Sequence, residues 1–205
     1  MSDTANILVV LAHPALEKSH VNRPMADAAA NVPNVTVHDL YEHYPDFYID
    51  KAAEQALIVK HDVIVLQHPL YWYSVPALMK EWLDIVFEHG FAYGRHGKVL
   101  QGRTLMNAWT GGSAETDFFD TEGRPIVPQL MRPFECTATY CGMHYLPPLC
   151  HFATGEMSAR QIEEACARFV SLLQRLQWPS FRERDFGNDV SMNDSVDRLE
   201  ADHHG

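Results

Sequence analysis

Nothing in the sequence approaches the roughly 18 uninterrupted apolar residues that a bilayer-spanning helix requires. Positive charge is also scarce: among 205 residues, 16 Lys and Arg face 27 Asp and Glu, a formal net charge of −11. That balance argues against binding to a nucleic-acid backbone, which needs clustered Lys and Arg. It equally disfavours electrostatic docking onto anionic lipid. The first residues, Met1 to Asn6, lack the basic and apolar regions of a signal peptide, so a cytoplasmic protein is expected. Cysteine is sparse; Cys136, Cys141, Cys150 and Cys166 show no C-x-x-C spacing and are expected as reduced thiols. The 12 histidines include no H-E-x-x-H and no tight carboxylate–histidine group, so no metal site is expected. G-x-S-x-G is missing, which removes support for a serine hydrolase. Neither G-x-G-x-x-G nor G-x-x-x-x-G-K-[ST] occurs, so Rossmann dinucleotide and P-loop sites are unsupported.

What the chain does have is a rhythm of apolar runs and amphipathic stretches. Ile7 to Ala12, Val35 to Asp39, Val63 to Leu66 and Thr104 to Trp109 read as strands, the continuous apolar ones as in a parallel sheet covered on both faces. A fifth strand is expected within His144 to Thr154, with Pro147-Pro148 at its start or on an irregular edge. Helices are expected from Ser19 to Ala30, after a cap at Asp50, after Pro76 with Ser74 placed to cap it, and from the capping-box pattern at Ser158 to Leu176. Val127 to Tyr140 is helix-like but interrupted by Pro128 and Pro133. Met79, Trp82, Leu83 and Val86 form an apolar stripe expected to be core. Five strands alternating with five helical segments predict a three-layer α/β sandwich with a five-stranded parallel sheet. The domain is expected over residues 1–179. Residues 180–205 carry seven Asp or Glu and three Arg, a net of −4, and are expected as a flexible or loosely docked acidic tail.

In open α/β sheets, ligands bind outside the carboxyl ends of the strands. Three segments fall there. The turn after the first strand holds His13, Ser19, His20, Val21 and Asn22. A helix N-terminus there offers N–H groups and partial positive charge to a phosphate. The plainer reading is that Ser19 caps the helix and His13 satisfies a loop carbonyl. After the third strand come Leu70, Tyr71, Trp72 and Tyr73. Three consecutive aromatics cannot all face one core; a flat aromatic ligand or a dimer interface accounts for them, and the two are compatible. After the fourth strand come Trp109, Thr110, Gly111 and Gly112, where absent Cβ atoms let backbone N–H groups approach a ligand closely. Most Gly-Gly pairs only mark turns.

The stretches Ala12-His13-Pro14, Asp39-Leu40-Tyr41, Tyr44-Pro45-Asp46-Phe47, Ile49-Asp50 and Gln67-His68-Pro69-Leu70 occur in this order. Trp72 to Trp82, Phe91-Ala92-Tyr93-Gly94 and Tyr140-Cys141-Gly142-Met143 follow. In these stretches the chain resembles the NAD(P)H quinone-oxidoreductase branch of the flavodoxin-like superfamily. Within it, the chain is most similar to the ancillary proteins of glutathione-regulated potassium-efflux antiporters. The resemblance spans Ile7 to Trp178.

It implies a homodimer with a flavin at each subunit interface and two-electron hydride transfer from NADPH or NADH to a quinone-type acceptor. His13 and Ser19 to Asn22 would hold the flavin phosphate, Leu70 to Tyr73 would line the isoalloxazine ring, and Trp109 to Gly112 would meet its pyrimidine edge. The ancillary members point to FMN and the animal quinone reductases to FAD. It also implies a regulatory role at the cytoplasmic face of an inner-membrane antiporter, beside the reductase activity or in its place. Two departures stand out. The family commonly has Thr-Thr-Gly-Gly where this chain has Trp109-Thr110-Gly111-Gly112. The animal enzymes carry a Tyr and a His shortly afterwards, where Asp117, Phe118 and Phe119 stand here, so no catalytic side chain is assigned.

Overall fold

Alternate residues of the central strands face two separate cores. Ile7 and Val9 of β1 (Ile7–Leu11) meet Val63 and Val65 of β3 (Val63–Pro69) on one face of a sheet, while Leu8 and Val10 meet Ile64 and Leu66 on the other. In the computed structural model, which describes residues 4–187 and 189–193, the sheet is wholly parallel. Its strand order is β2-β1-β3-β4-β5, with β2 at Val35–Asp39, β4 at Thr104–Thr110 and β5 at His144–Tyr145. A further strand, β6 (Leu149–His151), also pairs with β4.

The fifth expected strand is thus two pieces on one edge. Pro147 and Pro148 have no N–H to give a ladder, so pairing stops after the Leu146 N–H, which donates to Leu105 O at 3.0 Å, and resumes at Leu149.

Helix α1 (Asn22–Ala29) and α6 (Ala159–Leu176) cover one face through Met25, Ala29, Phe169, Leu172 and Leu176. The other face lies under α2 (Leu40–His43), α3 (Lys51–Val59), α4 (Ala77–Val86) and α5 (Val127–Tyr140). The Met79, Trp82, Leu83 and Val86 stripe is buried there as expected. Asp50 Oδ1 caps α3 by accepting the Ala53 N–H at 3.0 Å, and Ser158 with Gln161 forms the expected capping box of α6.

Three local expectations need correction. The first helix starts three residues late, at Asn22, because Leu16–Lys18 forms a separate 3₁₀ turn. Ser74 does not cap α4; Pro76 occupies the cap position, and the Ser74 backbone pairs with Tyr71 instead. Nor is α5 interrupted: Pro128 lies in its first turn and Pro133 is accommodated within it. The carbonyl that Pro133 leaves unpaired belongs to the exposed residue Gln129, where water can serve it.

Of the acidic extension, α7 (Pro179–Arg182) lies against the α1/α6 face, where Phe181 and Met192 are buried, while Val190 packs against the opposite core. Residues 194–205, His203 and His204 among them, lie outside the described residues. Among the described residues, no helix is long and apolar enough to cross a membrane.

Candidate functional site

The first turn leaves β1 through His13, whose Nδ1 accepts the Ala15 N–H at 3.1 Å. An accepting Nδ1 places the proton on Nε2. Burial lowers the pKa of His13, against the opposing charges of Asp39 and Glu17. His13 is therefore a neutral imidazole that carries its proton on Nε2 rather than a cation. Ser19 Oγ accepts the Asn22 N–H at 3.0 Å and so ties down the first residue of α1, but the cap position belongs to Val21, whose side chain cannot cap it. His20 is exposed and Asn22 buried, whereas Val21 turns its side chain into the α1/α6 core and offers a ligand only its backbone.

The second turn is a two-residue hairpin. Tyr71 and Ser74 exchange both backbone hydrogen bonds at 3.0 Å, and between them Trp72 and Tyr73 take φ of 50° and 63°. Two consecutive left-handed residues make a type I′ turn, a conformation that favours Asn and Gly and strains bulky side chains. Trp72 is 94% exposed and Tyr73 59%. A strained aromatic tip held out from the body is a mark of function, since folding alone would have selected smaller residues.

At the third turn, Gly111 uses both backbone groups internally. Its N–H donates to His151 O at 2.7 Å, and its carbonyl accepts from Thr154 N and Oγ1 at 3.0 and 3.1 Å. A Cβ at Gly111 would lie 3.1 Å from Trp109 Cζ3 and 3.6 Å from Phe118 Cζ. Glycine is needed here to clear the core, which corrects the expectation that Gly111 opens its N–H to a ligand. At Gly112 a Cβ would meet nothing within 4 Å, so that position faces open space. The Trp109 indole is fully buried, 5.4 Å from the Phe118 ring and 5.1 Å from that of Phe152. Its side chain fills the core, and only its backbone belongs to the rim.

The three turns meet. Asn22 Nδ2 donates to Thr110 Oγ1 at 2.7 Å, and the Leu70 N–H donates to Thr110 O at 2.7 Å. His13 and Tyr71 stand edge to face, with ring centroids 6.2 Å apart. Gln67 Nε2 donates to Asn22 O at 2.9 Å, tying the end of β3 to the start of α1. Among the described residues, four buried side-chain atoms have no partner: Asn22 Oδ1, Gln67 Oε1, Trp109 Nε1 and His151 Nε2. Proteins pair most such atoms; Trp109 Nε1 lies with its indole in the core, and the other three sit at the ends of β3 and β6 or at the start of α1. The two amide oxygens, Asn22 Oδ1 and Gln67 Oε1, accept only, so a ligand that offers hydroxyl or N–H donors suits them.

Sequence reasoning missed two supports of the site. Beneath the second turn, His68 Nδ1 donates to Pro69 O at 3.0 Å, its Nε2 accepts from Asn107 Nδ2 at 3.1 Å, and Tyr145 Oη donates to Asn107 Oδ1 at 2.8 Å. Burial pushes the His68 pKa down to about 4, so the ring is neutral as these bonds require. Beneath the third turn, His151 and Thr154 hold Gly111. Polar residues within apolar strand runs (Gln67, His68, Asn107) were the available signal. After the third turn, Asp117 Oδ2 accepts the Ala114 N–H at 3.1 Å and Phe118 is core. Beside the first turn a cleft of about 510 Å³ runs between His13, Glu17, Asp39 and Tyr41. A groove of about 690 Å³ flanks Tyr73 between α4 and α5.

The sequence profile of the flavodoxin-like fold family matches residues 5–173. The glutathione-regulated potassium-efflux system ancillary protein KefG of Shigella flexneri is 46% identical over 163 residues, 79% of this chain and 89% of that one. General stress protein 14 of Treponema denticola, solved in complex with FMN, is 39% identical with a TM-score of 0.79, over 84% of this chain and 99% of that one. An NADPH-quinone reductase of P. pentosaceus is 32% identical with a TM-score of 0.72, over 82% and 97%. With the strand order, the three joined turns and these likenesses in agreement, the chain belongs to the flavodoxin-like fold family.

Proposed function

We propose that this protein is a flavin-dependent NAD(P)H:quinone oxidoreductase that works as a homodimer. The observation that carries the proposal is the union of three turns at one sheet rim, joined through Thr110. The residues fit a flavin. The start of α1 with Ser19, His20 and Asn22 would hold the phosphate, a placement worth about 0.3–1 kcal/mol from the helix dipole alone. Leu70, Tyr71, Trp72 and Tyr73 would line the ring, and Thr110 with Gly112 would meet its polar edge, where no Cβ stands in the way. A bound flavin would supply the two-electron chemistry between nicotinamide and quinone, so no acid side chain is demanded of the protein. FMN is preferred to FAD, in keeping with the FMN complex of the Treponema relative. The exposed aromatics at residues 71–73 and the groove lined by Tyr73, Tyr93 and Tyr140 suit a second subunit. The purified protein should oxidise NADPH when given a soluble quinone. No turnover in the presence of added FMN and FAD would remove the enzyme.

A second reading has its own support. The likeness to KefG, together with the lack of a Tyr–His pair after the third turn, favours an ancillary subunit of a potassium-efflux antiporter at the cytoplasmic face of the inner membrane, with the reductase activity secondary or absent. Deleting the gene should slow potassium efflux; unchanged efflux would exclude this role.

A further inference from the structure

The edge of the sheet next to the third turn is closed by the chain's own extension. In β6, Leu149 to His151 pair with β4, and the N–H and C=O of Cys150 point away from it. Both are taken by one side chain. The Cys150 N–H donates to Asn193 Oδ1 at 3.0 Å, and Asn193 Nδ2 donates to the Cys150 carbonyl at 2.7 Å. A carboxamide so placed reproduces the donor and acceptor of a neighbouring strand's peptide group. The Met192 N–H adds a bond to Pro148 O at 2.8 Å, and the Met192 side chain is completely buried in the α1/α6 core. On the other side of the same strand, the His151 carbonyl receives the Gly111 N–H at 2.7 Å. β6 is three residues long and follows two prolines; its ladder to β4 and its buried side chains order it from one side, and Asn193 holds its other edge. The segment also lies beyond residue 173, where the match to the family profile ends.

We propose that residues 189–193 are a positioning strap for the third turn of the site. Asn193 fixes Cys150, which fixes the His151 carbonyl and so the Gly111 peptide that carries Gly112 toward the ligand. Asn193 acts through other residues and touches no ligand itself. The strap is a property of the polypeptide alone, while its effect on cofactor affinity rests on the flavin reading above.

The test uses the full-length chain and two variants. Asn193→Leu removes both bonds at similar size. Asn193→Asp keeps the acceptor and sets a charged oxygen against the Cys150 carbonyl. In flavin-free protein, amide hydrogen exchange is followed at Gly111 and, as a core control, at Val9. FMN affinity is measured separately by quenching of flavin fluorescence. Each variant should speed Gly111 exchange about tenfold, as expected for loss of one to two hydrogen bonds, leave Val9 unchanged, and weaken FMN binding by a similar factor. Wild-type exchange at Gly111 overturns the strap, and so does an equal acceleration at Val9, which would mean loss of global stability only. Faster Gly111 exchange with unaltered FMN affinity overturns the positioning role. If the wild-type protein binds no FMN, the flavin reading fails, and the exchange arm still decides whether the strap exists.

Discussion

Asn22 and Thr110, 88 residues apart in the chain, share a buried 2.7 Å hydrogen bond from Nδ2 to Oγ1. The bond joins the start of the first helix to the end of the fourth strand, and Thr110 also receives the Leu70 N–H. One threonine thus registers all three turns. Thr110→Val keeps the shape, removes the acceptor and leaves the Asn22 amide buried without a partner. Stability should fall by about 1–3 kcal/mol, and FMN should bind more weakly. Urea unfolding and a fluorescence titration check both; a neutral substitution would show that the turns are held by other means.

The two glycines of the third turn should behave differently. Gly111→Ala sets a Cβ 3.1 Å from the Trp109 ring, so it should lower stability by about 1 kcal/mol through overpacking. Gly112→Val enters open space; its stability should stay within about 0.5 kcal/mol of wild type while FMN affinity drops at least about tenfold, roughly 1.4 kcal/mol. Undiminished FMN affinity in Gly112→Val would remove this turn from the site.

The aromatic hairpin sacrifices stability. Replacing Trp72 by Asn and Tyr73 by Gly supplies the residues a type I′ turn prefers and should raise the melting temperature, with a gain of about 1–2 kcal/mol. The same double variant should lose flavin affinity because the ring platform is gone. A variant that melts lower than wild type would show that the tip makes stabilising contacts within the chain.

Acid should unfold the protein through two buried histidines. Burial pushes both His68 and His151 down to about 4, with the Arg168 charge a second cause at His151. In the unfolded chain they titrate near 6.5, so between about pH 6.5 and 4 the unfolded state binds protons that the folded state refuses. Stability therefore decreases as pH falls through this window, by an amount on the order of 3 kcal/mol per histidine. Urea midpoints at pH 7, 5.5 and 4.5 should fall steadily, and His151→Leu should flatten the slope. A midpoint constant across this range contradicts the buried, neutral assignment.

The architecture was legible because parallel strands covered on both faces are apolar throughout, as at Ile7 to Leu11, and because caps such as Asp50 and Ser158 announce helices locally. The three turns were legible for the same reason: in this topology the carboxyl ends of β1, β3 and β4 share one rim. Pro133 misled because a proline's cost depends on the carbonyl it strands, and solvent reaches the one on Gln129. Trp109 and Gly111 are ligand-like by position in the sequence but core-like in space; which side of a strand a residue faces, and what stands opposite, emerges only when strands pair. Asn193 carries no signal at all. A side chain that completes a strand edge 43 residues away follows no local pattern, and acidic composition alone suggested only a loose tail.

The most direct test of the central claim is an absorbance spectrum of the purified protein, followed by mass analysis of the released cofactor. The account predicts the two visible bands of an oxidised flavin and the mass of FMN at one per chain. A colourless protein that gains no such bands on incubation with FMN or FAD would contradict it.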